Sequence, residues 1–364
     1  MNKLQIQLFN ADLATPILQT DLSNRIENAH FGTKLPGGFN LFKFSIKGTL
    51  AESWRWITER VFYRIVIRDG EQILWEGRVQ DIAPEAGTVA VTAYGYYSSM
   101  NDGKYSTAYD DLVSVVIKAI LTAQCPQISS DQTNIDATNG SIDSAAGAEY
   151  LDKSPRELIE QMLPFADTDG HTWYFAIWDD RIPYLFERST STVDWFVRLA
   201  DLKRFRLRHR ASDLWNACYA VYEAGGAIAR TATSTNANSV TKYGVTRTYA
   251  VPNLGAVAAA AAQAQRDTWL ANHYEIYPSL EDIVLGDRVY DSNMKAYPSS
   301  WVRAGDVIQV IDLVPVSGDL DTVVRDALRT FYILETEYSI DKGESRISVD
   351  TEKKSLDAIL AKEL

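Results

Sequence analysis

Hydrophobic and polar residues alternate along much of the first hundred positions of the chain. The alternation is clear at residues 4–8 and 42–46, and two further strands are predicted at 61–67 and 72–82. A period of two residues is typical of a β-strand with one buried face. Asp69-Gly70 lies between the last two runs, and this dipeptide favours the backbone angles of a tight hairpin turn. Residues 1–100 are therefore predicted to form a small antiparallel β-barrel or sandwich.

The pattern changes near residue 101, where hydrophobic residues begin to recur at helical spacing. Positions 112–120 predict a helix that ends before Pro126. Asp110 and Asp111 are expected in its first turn, because carboxylates there interact favourably with the helix dipole.

A second helix is predicted to start at Ser154-Pro155-Arg156-Glu157. This segment has the residues of a capping box, with proline at the first helical position. Two aromatic strands are predicted next, at 173–178 and 182–187, joined through Asp179-Asp180. Residues 101–200 are thus predicted to form a mixed α/β domain with a helix-then-hairpin centre.

The remainder is again rich in predicted strands, at 205–208, 215–222, 240–249, 306–314, 331–340 and 346–350. An alanine-rich helix at 253–272 interrupts them, and its small side chains allow close approach to a neighbour. The predicted class is α+β and mostly β. It comprises the barrel or sandwich at 1–100, a second strand-rich region at 201–350, the intervening mixed domain at 101–200, the inserted helix, and a C-terminal helix or tail at 351–364.

Composition and charge narrow the possible functions. The chain has 364 residues, 46% of them hydrophobic, and a formal net charge of -12, which argues against a general affinity for duplex nucleic acid. Cys125 and Cys218 are predicted to be buried free thiols rather than disulfide or zinc cysteines. No apolar run approaches bilayer length, so we expect a soluble protein with no membrane-spanning segment, made in a reducing cytoplasm.

Catalytic motifs are absent from the sequence. It contains no phosphate-binding glycine loop with lysine, no Gly-x-Ser-x-Gly elbow and no His-Glu-x-x-His helix. The segment from Asp167 to Gly170 resembles the start of a calcium loop, but position twelve is Trp178 instead of a glutamate. We therefore predict no catalytic, cofactor-binding or metal-binding residues, and a protein that is not an enzyme.

The most distinctive charged segment is a row of arginines within residues 202–210. In an extended strand Arg204, Arg206, Arg208 and Arg210 project from one face. Three roles are open for this arginine ladder: contact with DNA phosphates, docking against an acidic patch of a neighbouring subunit, or a solvated face paired with local carboxylates. The acidic balance of the chain favours docking, which makes the four arginines candidate subunit-interface residues.

Aromatic residues of the predicted hairpin support an alternative function. Trp173, Tyr174, Trp178, Tyr184 and Trp195 could stack on sugars if they are exposed, as in a carbohydrate-binding tail or cell-surface adhesion module. The other interpretation is that they form the core of the middle domain, because the strands that hold them need a buried face.

The order of these segments resembles that of a known protein family. The run Leu-Trp-Glu-Gly-Arg-Val-Gln-Asp-Ile at 74–82, followed by Val-x-Val-x-Ala-x-Gly-Tyr at 89–96, resembles the end of the N-terminal barrel in tail hub proteins of bacteriophages. Residues 301–310, 331–338 and 346–349 look like the closing strands of the second barrel. The resemblance covers nearly the whole chain.

The resemblance implies a structural protein of a phage tail tip or baseplate. In similar proteins two tube-like barrels per chain assemble as a homotrimer, and the six barrels form a pseudo-hexameric ring. The implied partners are the distal tail or tail tube protein, the tape-measure protein and a central spike or fibre. DNA is expected to pass through the bore without specific binding. The expected location is the virion tail, assembled in the host cytoplasm, and no cofactor is implied.

Overall fold

The computed structural model describes residues 4–85, 87–105, 110–143, 152–168, 171–188, 192–209, 211–224, 226–252, 254, 259–271, 273–274, 278–313 and 329–349. Strands account for most of its regular structure, and α-helices lie between them. The prediction of an α+β, mostly β class is therefore confirmed. The predicted C-terminal helix or tail at 351–364 lies outside the described residues.

The N-terminal part is an antiparallel sheet. Its strands are β1 (Gln5–Phe9), β2 (Leu18–Asp21), β3 (Ile26–Lys34), β4 (Gly37–Lys47), β5 (Arg64–Asp69), β6 (Gln72–Glu85) and β7 (Thr88–Gly95). They pair in the order β2–β1–β5–β6–β7–β4–β3. Apolar side chains from one side of these strands, among them Ile6, Phe42 and Trp75, are buried in a single core. The alternation predicted at 4–8 and 42–46 thus corresponds to one buried face, whereas β5 is buried on both faces.

The hairpin predicted at Asp69-Gly70 is confirmed. Asp69 pairs with Gln72 at the end of the β5–β6 ladder. Gly70 has a φ of +61°, a left-handed conformation that glycine adopts without steric cost.

A helix that the sequence analysis did not predict interrupts the N-terminal strands. This helix, α1 (Leu50–Glu59), carries an ion pair between Arg55 and Glu59 at 3.0 Å, one turn apart. Trp56 is buried in the core and meets the ring of Phe44 edge-on, with centroids 6.4 Å apart. Burial of this one large side chain holds α1 on the sheet.

The middle of the chain contains the predicted helices and hairpin. The elements are β8 (Asp110–Leu112), α2 (Val113–Gln124), β9 (Ser141–Asp143), α3 (Pro155–Met162), β10 (Trp173–Ile177) and β11 (Pro183–Glu187). The capping box of α3 is present, since Glu157 N donates to Ser154 Oγ at 3.2 Å and Ser154 N donates to Glu157 Oε2 at 2.8 Å. The backbone of β10 also pairs with β4 in parallel, which attaches the hairpin to the N-terminal sheet.

The prediction that Asp110 and Asp111 occupy the first turn of a helix is wrong. Both residues lie in β8, which pairs antiparallel with β9, and α2 begins only at Val113. The backbone N–H of Val113 donates to Gly140 O at 3.1 Å. The pairing partner comes from residues 141–143, so the local helical pattern could not reveal it.

The C-terminal strands extend the N-terminal sheet. They are β12 (Trp195–Val197), β13 (Leu202–His209), β18 (Pro278–Leu285), β19 (Arg288–Tyr290), β20 (Ala296–Pro298), β21 (Val307–Val310), β22 (Thr330–Ser339) and β23 (Glu344–Val349). Four further strands, which form a separate group, lie between β13 and β18 in the sequence: β14 (Ala217–Ala224), β15 (Ala227–Arg230), β16 (Ser234–Thr235) and β17 (Thr248–Val251). From β3 the antiparallel order continues as β3–β22–β23–β18. One antiparallel path therefore runs from β2 to β18.

The junction of β3 with β22 is tightly packed. Thr33 Oγ1 and Thr336 Oγ1 are 2.7 Å apart and buried, and Ala304 N donates to Thr33 Oγ1 at 2.7 Å. A Cβ atom added to Gly32 would lie 2.3 Å from Thr336 O, so only glycine permits this approach. We call this junction the β3–β22 seam.

The segment that follows β13 and precedes β18 in the sequence forms a second compact group of residues. Strand β14 is at its centre and pairs antiparallel with β15 and β16 and parallel with β17. Helix α5 (Ala259–Ala271) packs through Ala262 against Ala220 and Val251, so the small side chains of the predicted alanine-rich helix do permit close packing.

The prediction of one strand at 240–249 is wrong. Its first part is helix α4 (Ala237–Tyr243), and only the end belongs to β17. Asn236 caps the helix, because its Oδ1 accepts from Ser239 N at 2.9 Å, and Gly244 ends it in the left-handed conformation. These two capping residues decide between helix and strand here.

Contacts divide the chain into two compact units. One comprises residues 1–204, 283–313 and 330–350, and the other 205–282, 314–329 and 351–364. The division predicted from the sequence, at 1–100, 101–200 and 201–350, stays a prediction, and the β3–β22 seam and the β4–β10 pairing join strands of its first, second and last parts.

We predict that Thr33→Val lowers the free energy of unfolding by about 1–3 kcal/mol, because it removes the acceptor of Ala304 N and leaves the Thr336 hydroxyl without its buried partner. Urea denaturation followed by tryptophan fluorescence measures the change. Thr20→Val on the edge strand β2 is the matched control. Equal stability of the two variants would contradict the importance of the seam.

Candidate assembly surface

One side of the sheet formed by β3, β22 and β23 is charged. Glu337 pairs across the ladder with Arg346, and Lys34 Nζ lies 3.9 Å from Glu335 Oε2. The alternate positions Thr336 and Ile347 are buried on the opposite side. Because side chains alternate across a strand, the polar set faces outward. We call this outward side the charged face.

A groove of about 320 Å³ opens on the charged face. Six charged side chains line it: Lys203, Arg204, Glu337, Lys342, Glu344 and Arg346. Lys203 Nζ donates to Glu344 Oε2 at 3.0 Å, which ties the start of β13 to β23. With four cations and two carboxylates the groove is locally positive, although the chain as a whole has a net charge of -12. Such a groove is complementary to an acidic surface.

The arginine ladder lies partly in this region. Arg204 and Arg206 are exposed on β13, and Phe205 between them is half-buried. Arg204 lines the groove. The side chain of Arg208 and the whole of Arg210 lie outside the described residues. No sequence pattern marks Lys342 and Arg346 as candidate interface residues, because only the pairing of β22 with β23 brings them to the same groove.

A buried group of charges lies where the β10–β11 turn meets the N-terminal sheet. Glu76 has no exposed surface, its Oε1 lies 2.9 Å from Arg64 Nε, and its Oε2 accepts from Asp180 N at 2.9 Å. Burial raises the pKa of Glu76, and the Arg64 guanidinium offsets part of that rise. The acidic turn singled out in the sequence is therefore held by β5 and β6.

Arg303, from the C-terminal part of the chain, also binds the Asp179-Asp180 turn. Its guanidinium donates to both carboxylate oxygens of Asp179, at 3.0 and 3.3 Å, and also to the backbone oxygen of Ile73. The guanidinium carbon lies 5.3 Å from the ring centroid of Phe39 and 5.6 Å from that of Trp178. We call the group of Arg64, Glu76, Asp179, Asp180 and Arg303 the arginine junction.

The aromatic candidates for sugar stacking are packed against protein. Trp178 is 9% exposed and meets Phe39 edge-on at 5.2 Å. Trp173 packs against the core beneath α2 and α3, while Tyr174 and Tyr184 pack against the core of the N-terminal sheet. These contacts favour the interpretation that the aromatics serve the core.

Trp195 donates a hydrogen bond into a carboxylate pair. Its Nε1 lies 2.7 Å from Asp306 Oδ2, which also accepts from Arg303 N at 2.8 Å. Asp194 Oδ2 accepts from Val307 N at 2.8 Å. Burial raises the pKa of Asp306 to about 6 and also raises that of Asp194.

Neither a cluster of metal-ligating side chains nor a membrane-spanning helix is found among the described residues. Across the described residues, histidine, cysteine, aspartate and glutamate side chains do not gather in threes around a potential metal position. In the same part of the chain, no helix combines the length and apolar character needed to cross a bilayer.

Comparison with known proteins gives matches in structure only. No protein-family model matches the chain, and no curated protein matches it significantly in sequence. The tail protein from Neisseria meningitidis MC58 superposes with a TM-score of 0.56 at 12% identity, covering 98% of this chain and 99% of that one. The 43 kDa tail protein of prophage MuSo2 from Shewanella oneidensis gives 0.54 at 13%, with 95% and 98% covered.

A third structure, the prophage tail protein gp18 from Listeria monocytogenes EGD-e, gives a TM-score of 0.52 at 14% identity, with 98% and 97% covered. The chain has the fold of these tail proteins. The match covers 95% or more of this chain in all three cases. The resemblance seen in the sequence is confirmed at the level of the fold.

We predict that Glu76→Gln lowers the free energy of unfolding by about 3–5 kcal/mol, because it removes the charge of the carboxylate that lies 2.9 Å from the buried Arg64 guanidinium. The double variant Arg64→Met with Glu76→Met is expected to regain most of the loss. Chemical denaturation of both measures the effect. The control Glu59→Gln breaks the exposed pair with Arg55, and a comparable loss there would contradict the prediction.

Asp306 is expected to make stability depend on pH. Its folded-state pKa of about 6 lies above the ordinary value of 3.8, so its contribution is complete below about pH 4 and is lost as pH rises through 6. The loss amounts to at most about 3 kcal/mol. Thermal unfolding from pH 4 to 7 should show a shallower decline in Asp306→Asn than in the wild type. An identical pH profile in the two proteins refutes this assignment, and exposed Asp110→Asn is the control.

Proposed function

We propose that this chain is the structural hub of a phage tail tip or baseplate. In this role it forms a trimeric, pseudo-hexameric ring that continues the tail tube and connects it to a central spike or fibre. The observation that carries the proposal is the end-to-end match to the tail-protein fold, at 98% of this chain and 99% of the Neisseria protein. A hub acts by assembly and needs no catalytic turnover.

The proposed ring is built from two tube-like barrels per chain. These barrels are residues 1–100 and 201–350, with the mixed domain at 101–200 between them in the chain. Strand β2 pairs with β1, and no partner is described along its other edge. Ile17 and Leu18 at this edge are about half exposed. An uncovered edge with apolar side chains is a liability in a monomer, and pairing between subunits of a ring removes it.

The charge of the chain suits a bore that DNA traverses. A net charge of -12 repels phosphate on average and limits non-specific binding. We assign the cationic groove and the arginine ladder to contacts with protein neighbours: further copies of the chain, the distal tail or tail tube protein, the tape-measure protein and the spike or fibre. The proposed location is the virion tail, assembled in the host cytoplasm.

Two measurements test the hub. Light scattering over a concentration series should detect a species of three times 40.7 kDa, alone or with the neighbouring tube protein. Electron microscopy of purified tails should place the chain at the tip as a ring. A strict monomer in every mixture, together with absence from purified tails, would overturn the proposal.

For the arginine ladder we predict that Arg206→Glu with Arg208→Glu weakens self-association about tenfold or more and leaves the melting temperature nearly unchanged. Sedimentation equilibrium and thermal unfolding measure the two effects. The control is Lys43→Glu with Lys47→Glu, which makes the same change in charge at exposed positions of β4. Equal loss of association in both double variants would contradict a specific role of the ladder, because it would show that only overall charge matters.

A further inference from the structure

A second pocket, of about 290 Å³, opens beside the β5–β6 turn. Two carboxylates, Asp69 and Asp341, are among its lining groups, together with the hydroxyls of Ser300 and Tyr338. Aliphatic side chains, including Ile26, complete the wall. The pocket therefore combines negative charge with an apolar lining.

Asp69 is a buried carboxylate without a cationic partner among the described residues. The residue is 8% exposed, and its Oδ2 accepts a hydrogen bond from Trp301 Nε1 at 3.0 Å. Glu76, which is completely buried, has the Arg64 guanidinium 2.9 Å from its carboxylate. Burial of a carboxylate is costly unless a cation or several donors compensate it. The difference between the two sites points to a cation supplied from outside the chain.

Ser300 provides an independent observation at the same pocket. It is 4% exposed, and its Oγ is buried with no hydrogen-bond partner in the described structure. Nearly all buried polar groups in native proteins are paired, so such an atom requires an explanation. Asp341 uses Oδ2 to accept from Ala29 N at 3.1 Å, which keeps its carboxylate at the wall. The pocket thus offers several acceptors to an incoming donor.

These properties match one type of side chain. An arginine presents an aliphatic stem that packs on apolar walls and a planar guanidinium with five donors for carboxylate and hydroxyl oxygens. Burial raises the pKa of the Tyr338 hydroxyl, and the nearby Asp69 charge adds to that rise, which keeps Tyr338 neutral beside a cation.

We propose that the pocket at Asp69, Ser300 and Asp341 receives an arginine side chain from a second copy of this chain. The source follows from charge complementarity, since Arg206 is exposed on β13 of every copy and the pocket carries two carboxylates. The choice of a second copy rests on the proposed function. The affinity of the pocket for a guanidinium does not depend on the proposed function.

The first experiment tests the pocket alone. n-Butylguanidinium is titrated into the full-length protein, with shifts of backbone amides near Gly70 and Ser300 followed by NMR, and neutral n-butylurea is the control ligand. We expect saturable binding of the cation only, weakened about tenfold or more in Asp69→Asn. Asparagine retains an acceptor for Trp301, so this variant should fold. Ser300→Ala is a second variant, and exposed Glu71→Gln in the same turn is the matched control.

The second experiment tests the source. Sedimentation equilibrium should show weaker self-association in Asp69→Asn than in Glu71→Gln, and n-butylguanidinium should compete with assembly of the wild type. Absence of cation binding overturns the proposed guanidinium site, whether or not the protein assembles. Cation binding with unchanged assembly of Asp69→Asn overturns the second copy as the source. A wild type that binds the cation yet stays monomeric contradicts the hub and that source, and supports the guanidinium site.

Discussion

The pairing of β3 with β22 is the constraint on which the larger unit depends. Residues about 300 positions apart meet along this seam, so the chain must close a very long loop before it gains any contact there. The buried hydroxyl pair of Thr33 and Thr336 and the close approach at Gly32 make the pairing specific. With the seam in place, N-terminal and C-terminal strands share one antiparallel path.

The arginine junction supports this arrangement from the middle of the chain. Arg64 contacts Asp180 and Arg303 contacts Asp179 of the same acidic turn, and Glu76 accepts a hydrogen bond from Asp180 N. The rings of Phe39 and Trp178 lie beside the Arg303 guanidinium. In a low dielectric such contacts are strong only when each charge is compensated, so the turn and both flanking segments must assemble together.

Surface and core follow from the same alternation of side chains. Along β22, Thr336 and Tyr338 point into the protein, while Glu335 and Glu337 face outward. The outward set forms the charged face with its cationic groove, and the loop after β20 places Ser300 at the acidic pocket. A positive groove and a negative pocket on one unit suit a protein that associates with copies of itself.

The sequence by itself determined the local elements: the hairpin at Asp69-Gly70, the capping box at Ser154, and strands whose alternation marks a buried face. These features depend on neighbouring residues and on backbone preference. Tertiary structure decided that Asp110 pairs in a strand, that Trp178 belongs to the core, and that Arg204 lines the same groove as Arg346. Each of these outcomes depends on a partner far along the chain, and periodicity within one segment carries no information about which distant segment it meets.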